Sequence, residues 1–168
     1  CRAEADITEH STLAAQVIAS VREEGDRAVL AYTREFDGVS LTAKELRVSR
    51  KEIEDAYRQL EPRTRETLEY AAANIKKFHS QQLPAEMWLQ EIDSGLLAGE
   101  KITPITDVCL YVPRGKGSFP SVLLMLGIPA MLAGVPKVFV CTPPGEGGRL
   151  EEATLAAAHL AGIEEIYR

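Results

Sequence analysis

Two apolar, β-prone runs, Val108–Val112 and Val138–Cys141, constrain this chain more than any other feature. Between them lies one segment of helix length, from Pro120 to about Ala133, and Pro129 is expected to kink it. Parallel strands need a crossover of about a dozen residues or more, usually a helix, and this segment supplies one. A run that is apolar at successive positions predicts burial on both faces of the sheet. After the second run, Glu151–Ala161 is rich in Ala and Leu, and Gly162 is placed as the residue that ends the helix. Ile163–Tyr167 then opens a third run. The order β-α-β-α-β is the doubly wound pattern. A three-strand sheet that stopped there would leave an open edge, so more chain is expected after Arg168.

The first hundred residues have a different character. Acidic groups outnumber basic ones there by 19 to 13, so the net charge of −6 lies in that part. By contrast, 8 of the 12 glycines and 7 of the 9 prolines follow residue 100. Leu13, Val17 and Val21 recur every four residues, with Ala14 and Ile18 beside them, and mark one helix face. Gly25-Asp26 interrupts that helix. A second one carries Val29, Tyr32 and Phe36 and stops at Asp37-Gly38. Leu46 and Val48 make a short extended piece. Ser49-x-x-Glu52 has the capping-box pattern and predicts a helix start. Pro62 suits the first turn of a long helix with Leu68, Ala72, Ile75 and Phe78 on one stripe. Residues 87–105 alternate around Ser94-Gly95 and predict a hairpin. The fold class is therefore α/β: an N-terminal helical region, then an incomplete Rossmann-like parallel β-α-β-α-β unit. The expected division is 1–85 helical, 86–106 hairpin and linker, and 107–168 the start of a Rossmann-like domain.

Composition narrows the function classes. An apolar fraction of 45% and a charged fraction of 26% are ordinary for a globular protein. A net charge of −6 argues against a nucleic acid or an anionic membrane as the main partner. The longest apolar stretch, Val122–Val135, falls short of the roughly 18 residues of a membrane span and is broken by Gly127, Pro129 and Gly134. No charged-then-apolar leader opens the chain, so no signal peptide is expected. A first residue of Cys1 rather than methionine suggests that the native start lies elsewhere. The three cysteines lack CxxC spacing and read as reduced thiols of a cytosol-like compartment. Cys109 and Cys141, each within an apolar strand, are expected to be buried and inert.

The loop Pro113-Arg114-Gly115-Lys116-Gly117-Ser118-Phe119-Pro120 leaves the carboxyl end of a strand and enters a helix. Open α/β sheets bind ligands there, with free backbone N–H groups and the helix dipole facing an anion. Arg114 and Lys116 add positive charge. Pro120 breaks both the G-x-G-x-x-G and the Walker A patterns, so the residues alone also fit a solvated basic crossover loop, the plainer reading. Tyr111 fits either a ring packed on a cofactor or a core residue with its hydroxyl at the rim. The acidic residue that a dinucleotide fold places at the end of its second strand is missing: Cys141-Thr142 stand there, and Glu146 sits well into the following loop. His10, His79 and His159 lie far apart, without metal-ligand spacing, and suit structural or surface roles. No acid–base pair, nucleophile arrangement or zinc cluster is visible, so neither catalytic nor metal-binding residues are assigned.

Val21-Arg22-Glu23-Glu24-Gly25-Asp26-Arg27-Ala28 with Tyr32-Thr33-Arg34-Glu35-Phe36-Asp37-Gly38 resembles the N-terminal region of histidinol dehydrogenases. So do Asn74-Ile75 with Phe78-His79. Leu110-Tyr111-Val112-Pro113, Pro120-Ser121-Val122-Leu123-Leu124-Met125, Ile128-Pro129-Ala130 and Val140-Cys141-Thr142-Pro143-Pro144 look like the same family's nucleotide-domain segment. The resemblance implies zinc and NAD as cofactors, L-histidinol as substrate, oxidation through the aldehyde to L-histidine, and a cytoplasmic homodimer. It implies that Tyr111 contacts NAD, with Pro113, Arg114 and Lys116 nearby. Arg114 departs from the Gly-Gly that many members carry after the proline, and is expected to supply a phosphate contact instead. The family's catalytic glutamate–histidine pair, zinc ligands and substrate contacts come later than the matched segment, so the chain looks like roughly the first two-fifths of such an enzyme and is expected to be inactive alone. The competing expectation is a non-catalytic binding or oligomerisation module derived from that family.

Overall fold

The computed structural model describes residues 8–115 and 117–168; Cys1 and Lys116 lie outside the described residues. Two compact units are present. One holds the residues up to Arg47 together with Pro144–Arg149, and the other holds Val48–Pro143 with Leu150–Arg168.

The first unit contains helices α1 (Thr8–Glu24) and α2 (Asp26–Phe36). Gly25, at φ +61°, separates them as the sequence suggests. The α1 stripe is only partly covered: Leu13 is exposed, while Val17 and Val21 are half-buried. The Tyr32 hydroxyl donates to Ser20 Oγ at 3.1 Å, tying α2 to α1. A single turn of 3-10 helix at Glu146–Gly148 belongs to the same unit. Its Gly148, at φ +79°, leaves no room for a side chain, because a Cβ there would stand 2.7 Å from Leu41 Cδ2.

In the second unit, Ser49 caps helix α3 (Arg50–Gln59) by accepting the Glu52 N–H at 3.1 Å. This is half of the expected capping box. Pro62 opens α4 (Pro62–Ser80), whose N-terminal N–H groups at Arg63 and Thr64 are taken up by the Glu61 carboxylate. Those two hydrogen bonds hold the Glu61 carboxyl below its ordinary pKa. Leu68 and Ala72 are buried on the α4 stripe, but Phe78 is 64% exposed, so the buried face ends near Ile75. Strands β1 (Met87–Asp93) and β2 (Leu96–Lys101) pair antiparallel with a register shift between Glu91 and Asp93. The predicted hairpin is there, with both of its faces exposed.

Strands β3 (Asp107–Tyr111), β4 (Lys137–Cys141) and β5 (Glu165–Tyr167) form a parallel sheet in the order β3-β4-β5. Helix α5 (Pro120–Leu132) connects the first two and runs through Pro129 to Leu132; α6 (Glu152–Ala161) connects the next two. Gly162 ends α6 at φ +77°, in the left-handed region that favours glycine. Leu110, Val140 and Ile166 stand side by side in register, and all three are buried. Each such side chain contributes about 1.5–3 kcal/mol by leaving water.

The alternate residues of the strands correct the expectation of burial on both faces. Cys109 and Tyr111 are exposed, and Phe139, Cys141 and Tyr167 are only half-buried. The cause is topological. When strand order follows chain order, right-handed crossovers place both α5 and α6 on one face of the sheet. The other face receives neither of these helices. The β5 edge is not bare, since the Val48 N–H donates to the Ile166 carbonyl at 2.9 Å. Among the described residues, no helix is long and apolar enough to cross a membrane.

Candidate functional site

Of the predicted binding residues, Tyr111, Pro113 and Arg114 lie at the carboxyl end of the β3-β4-β5 sheet. Val112, almost fully buried, anchors the end of β3 by donating its N–H to the Cys141 carbonyl at 2.9 Å. Thr142 extends β4 in the same way toward the Tyr167 carbonyl, at 3.0 Å. These two bonds carry the ladder one residue beyond each strand and fix the points where the loops depart.

Tyr111 sits on the uncovered sheet face with 61% of its surface exposed. It is therefore not a core residue with a rim hydroxyl, and its ring is free to receive a flat ligand. Pro113, Arg114 and Gly115 follow it on the surface. The Gly115 N–H donates to the Gly117 carbonyl at 3.3 Å. A Cβ on Gly117 would meet nothing within 4 Å, so the backbone at this point is open to an approaching group. Lys116, the second predicted cation of the loop, lies outside the described residues.

Arg114 is already engaged. Its guanidinium stands 3.6 Å from the Glu151 carboxylate, both side chains being about one-third to two-fifths exposed. A surface pair of this kind is worth at most about 1 kcal/mol, so an incoming phosphate can compete for the arginine. Glu151 occupies the N-cap position of α6 without a side-chain cap hydrogen bond, and Phe119 does the same for α5. Both helices thus begin at this end of the sheet, and their N-terminal dipoles favour an anion. Residues present here fit a dinucleotide on three counts: an exposed ring, an open glycine turn and an arginine beside helix N-termini.

The other sequence candidates do not join this site. His159 stacks on Tyr57 with ring centroids 4.3 Å apart, and His79 Nδ1 lies 2.6 Å from Gln82 Oε1. His10 is exposed on α1. Among the described residues, no three His, Cys, Asp or Glu side chains converge as a metal would need. Zinc therefore has no ligand set among the described residues.

Two features of the site were not foreseen. One is the Arg114–Glu151 pair, which joins residues far apart in the sequence. The other concerns the thiols: Cys109 is exposed, not buried, and its Sγ lies 3.7 Å from Cys141 Sγ. Burial, reinforced by the Cys109 thiol, pushes the Cys141 thiol up to about 11. The expectation of burial thus fails for Cys109, because its strand shows that side to the uncovered face. The parity of Cys109 against the buried Leu110 was the available signal.

Comparison with known proteins gives one consistent result. The family description that matches is histidinol dehydrogenase, over residues 1–168. A histidinol dehydrogenase of a Synechocystis species is 48% identical over 167 residues, covering 99% of this chain and 38% of the relative. That of Methanothermobacter thermautotrophicus is 44% identical over 167 residues, with the same two coverages. The crystal structure of histidinol dehydrogenase from Elizabethkingia anophelis superposes with a TM-score of 0.89 at 34% identity, covering 100% of this chain and 37% of that one. The chain thus spans less than two-fifths of the length of these relatives.

Proposed function

Because the chain belongs to the histidinol dehydrogenase family, we propose that it is the N-terminal part of an enzyme that oxidises L-histidinol to L-histidine with NAD and zinc. The single observation that carries this reading is the family match along every residue, 1–168. NAD, when bound, accepts a hydride in each of two oxidation steps. The part played by this chain is to hold the dinucleotide. Tyr111 offers its exposed ring to a flat group, Pro113 fixes the departure of the loop, and Arg114 and Lys116 supply charge for phosphates. Exchange of Glu151 for phosphate at Arg114 keeps the guanidinium paired throughout.

Catalytic acid–base groups and zinc ligands belong, on this reading, to residues outside this chain, so the 168-residue piece alone does not turn over histidinol. The same reading makes the complete enzyme a cytoplasmic homodimer. It keeps residues 1–85 as a helical region, 86–106 as a hairpin and linker, and 107–168 as the opening of the nucleotide-binding domain.

The test is histidinol-dependent formation of NADH by the complete protein that carries this chain, supplied with zinc. Tyr111→Ala in that protein is expected to raise the KM for NAD about tenfold, the loss of a 1–1.5 kcal/mol ring contact. A zinc-loaded protein that ignores histidinol and oxidises a different alcohol refutes the substrate. A native species of 18.4 kDa with no NADH formation favours the non-catalytic module instead.

A further inference from the structure

The uncovered face of the sheet holds a pair of thiols to which the proposed dehydrogenase chemistry gives no task. Cys109 on β3 is opposite Phe139, and Cys141 on β4 is opposite Tyr111, so the two cysteines are diagonal neighbours offset by two positions. Their sulfurs are 3.7 Å apart. A disulfide is not what this spacing suits. Two positions along a strand and one strand across separate the Cα atoms by about 8 Å. A disulfide requires Cα atoms within about 7 Å. A pyramidal trivalent atom that makes two bonds of about 2.3 Å to sulfur at about 100° spans sulfurs about 3.5 Å apart, within a few tenths of an ångström of what is seen.

We propose that Cys109 and Cys141 form a chelating site for a thiophilic trivalent centre, with monosubstituted trivalent arsenic as the chemical class of ligand. No third His, Cys, Asp or Glu joins the pair among the described residues. Zinc, which takes four ligands, is poorly served by two. A trivalent arsenic that already carries one organic group needs two sulfurs and no more. Cys109 is exposed and admits the reagent; Cys141 is half-buried beside it and closes the chelate. Capture balances without an oxidant. Two As–S bonds form, the bonds from arsenic to its oxygen break, and both thiol protons leave with that oxygen as one water. Arsenic remains trivalent and both sulfurs remain at the thiol oxidation level.

The experiment uses phenylarsine oxide on the complete protein that carries this chain. After a wash with excess 2-mercaptoethanol, a monothiol that cannot compete with a chelate, the protein is digested and the peptides holding Cys109 and Cys141 are read by mass. One retained phenylarsenic group bridging those two peptides is expected, released by 2,3-dimercaptopropanol. Cys109→Ser and Cys141→Ser, each checked for an unchanged far-UV circular dichroism spectrum, are expected to retain at least about tenfold less, since either leaves a single bond. As a second measurement without further substitution, the arsenical is expected to protect both thiols from iodoacetamide over a time course long enough to alkylate Cys141 in its absence. Absence of a retained adduct, retention by either serine variant, or protection of only one thiol overturns the proposal.

Discussion

Gly127 is a point of close approach between α5 and the segment that ends α6. A Cβ at this position would stand 2.7 Å from Ile163 Cδ1 and 3.1 Å from Ala161 Cβ. Both neighbours are buried, at 2% and 7% exposure, so neither has free space to move into. Gly127→Ala sets two effects against each other. Alanine favours the helix interior by about 1 kcal/mol over glycine. Against this, an extra methyl group in a filled core costs about 1–3 kcal/mol, partly by driving Ile163 off its rotamer. The net expectation is destabilisation of about 1 kcal/mol. Ile163→Val removes the Cδ1 atom that clashes and by itself costs about 0.5–1.5 kcal/mol. Combined with Gly127→Ala, it gives the new methyl somewhere to sit. A double-mutant cycle by urea denaturation, followed by circular dichroism at 222 nm, is therefore expected to show a favourable coupling of about 1 kcal/mol. A stabilised single variant or strict additivity would refute the reasoning, because either means that the helix–segment approach is looser than described.

Ser49→Ala removes the oxygen that accepts the Glu52 N–H, and is expected to cost about 1 kcal/mol in the same denaturation assay. Glu61→Gln is expected to flatten the acid limb of stability. The folded pKa of Glu61 lies below its ordinary value of 4.5, so its contribution is present above pH 4.5 and is lost as the pH falls through the folded pKa. Melting between pH 6 and pH 3 checks this, and equal slopes in the two proteins contradict it. For the thiols, iodoacetamide at pH 8 should alkylate the exposed Cys109 first. A Cys141 thiol titrating near 11 leaves only about one thiolate in a thousand at that pH. Peptide mapping over a time course reads the order, and faster labelling of Cys141 would reverse the assignment.

Features written in a few neighbouring residues were legible before any coordinates. Ser49 with Glu52, Pro62 at a first turn, and the glycines at 25 and 162 act through bonds spanning three or four residues, and each stands where the sequence places it. The three parallel strands and their two helices were legible for the same reason, since apolar runs and helix-length spacers are local patterns. What escaped depends on the order of strands in space. Nothing in the Val108–Val112 run says that only one of its faces is covered, so Cys109 and Tyr111 read as buried or ambiguous. Periodicity also shows which residues of α4 share a face, but not how far its partners reach along it, and Phe78 lies beyond that reach. The sequence shows Arg114 only as added positive charge, because Glu151, its counter-ion, enters from a different crossover.

We propose that this chain serves a two-step oxidation of histidinol. The most direct measurement is the stoichiometry of the complete zinc-loaded protein with limiting L-histidinol and excess NAD, reading NADH by absorbance and L-histidine by chromatography. Two NADH and one histidine per histidinol consumed is the predicted result. One NADH with the aldehyde as end product, or no NADH at all, would contradict the account.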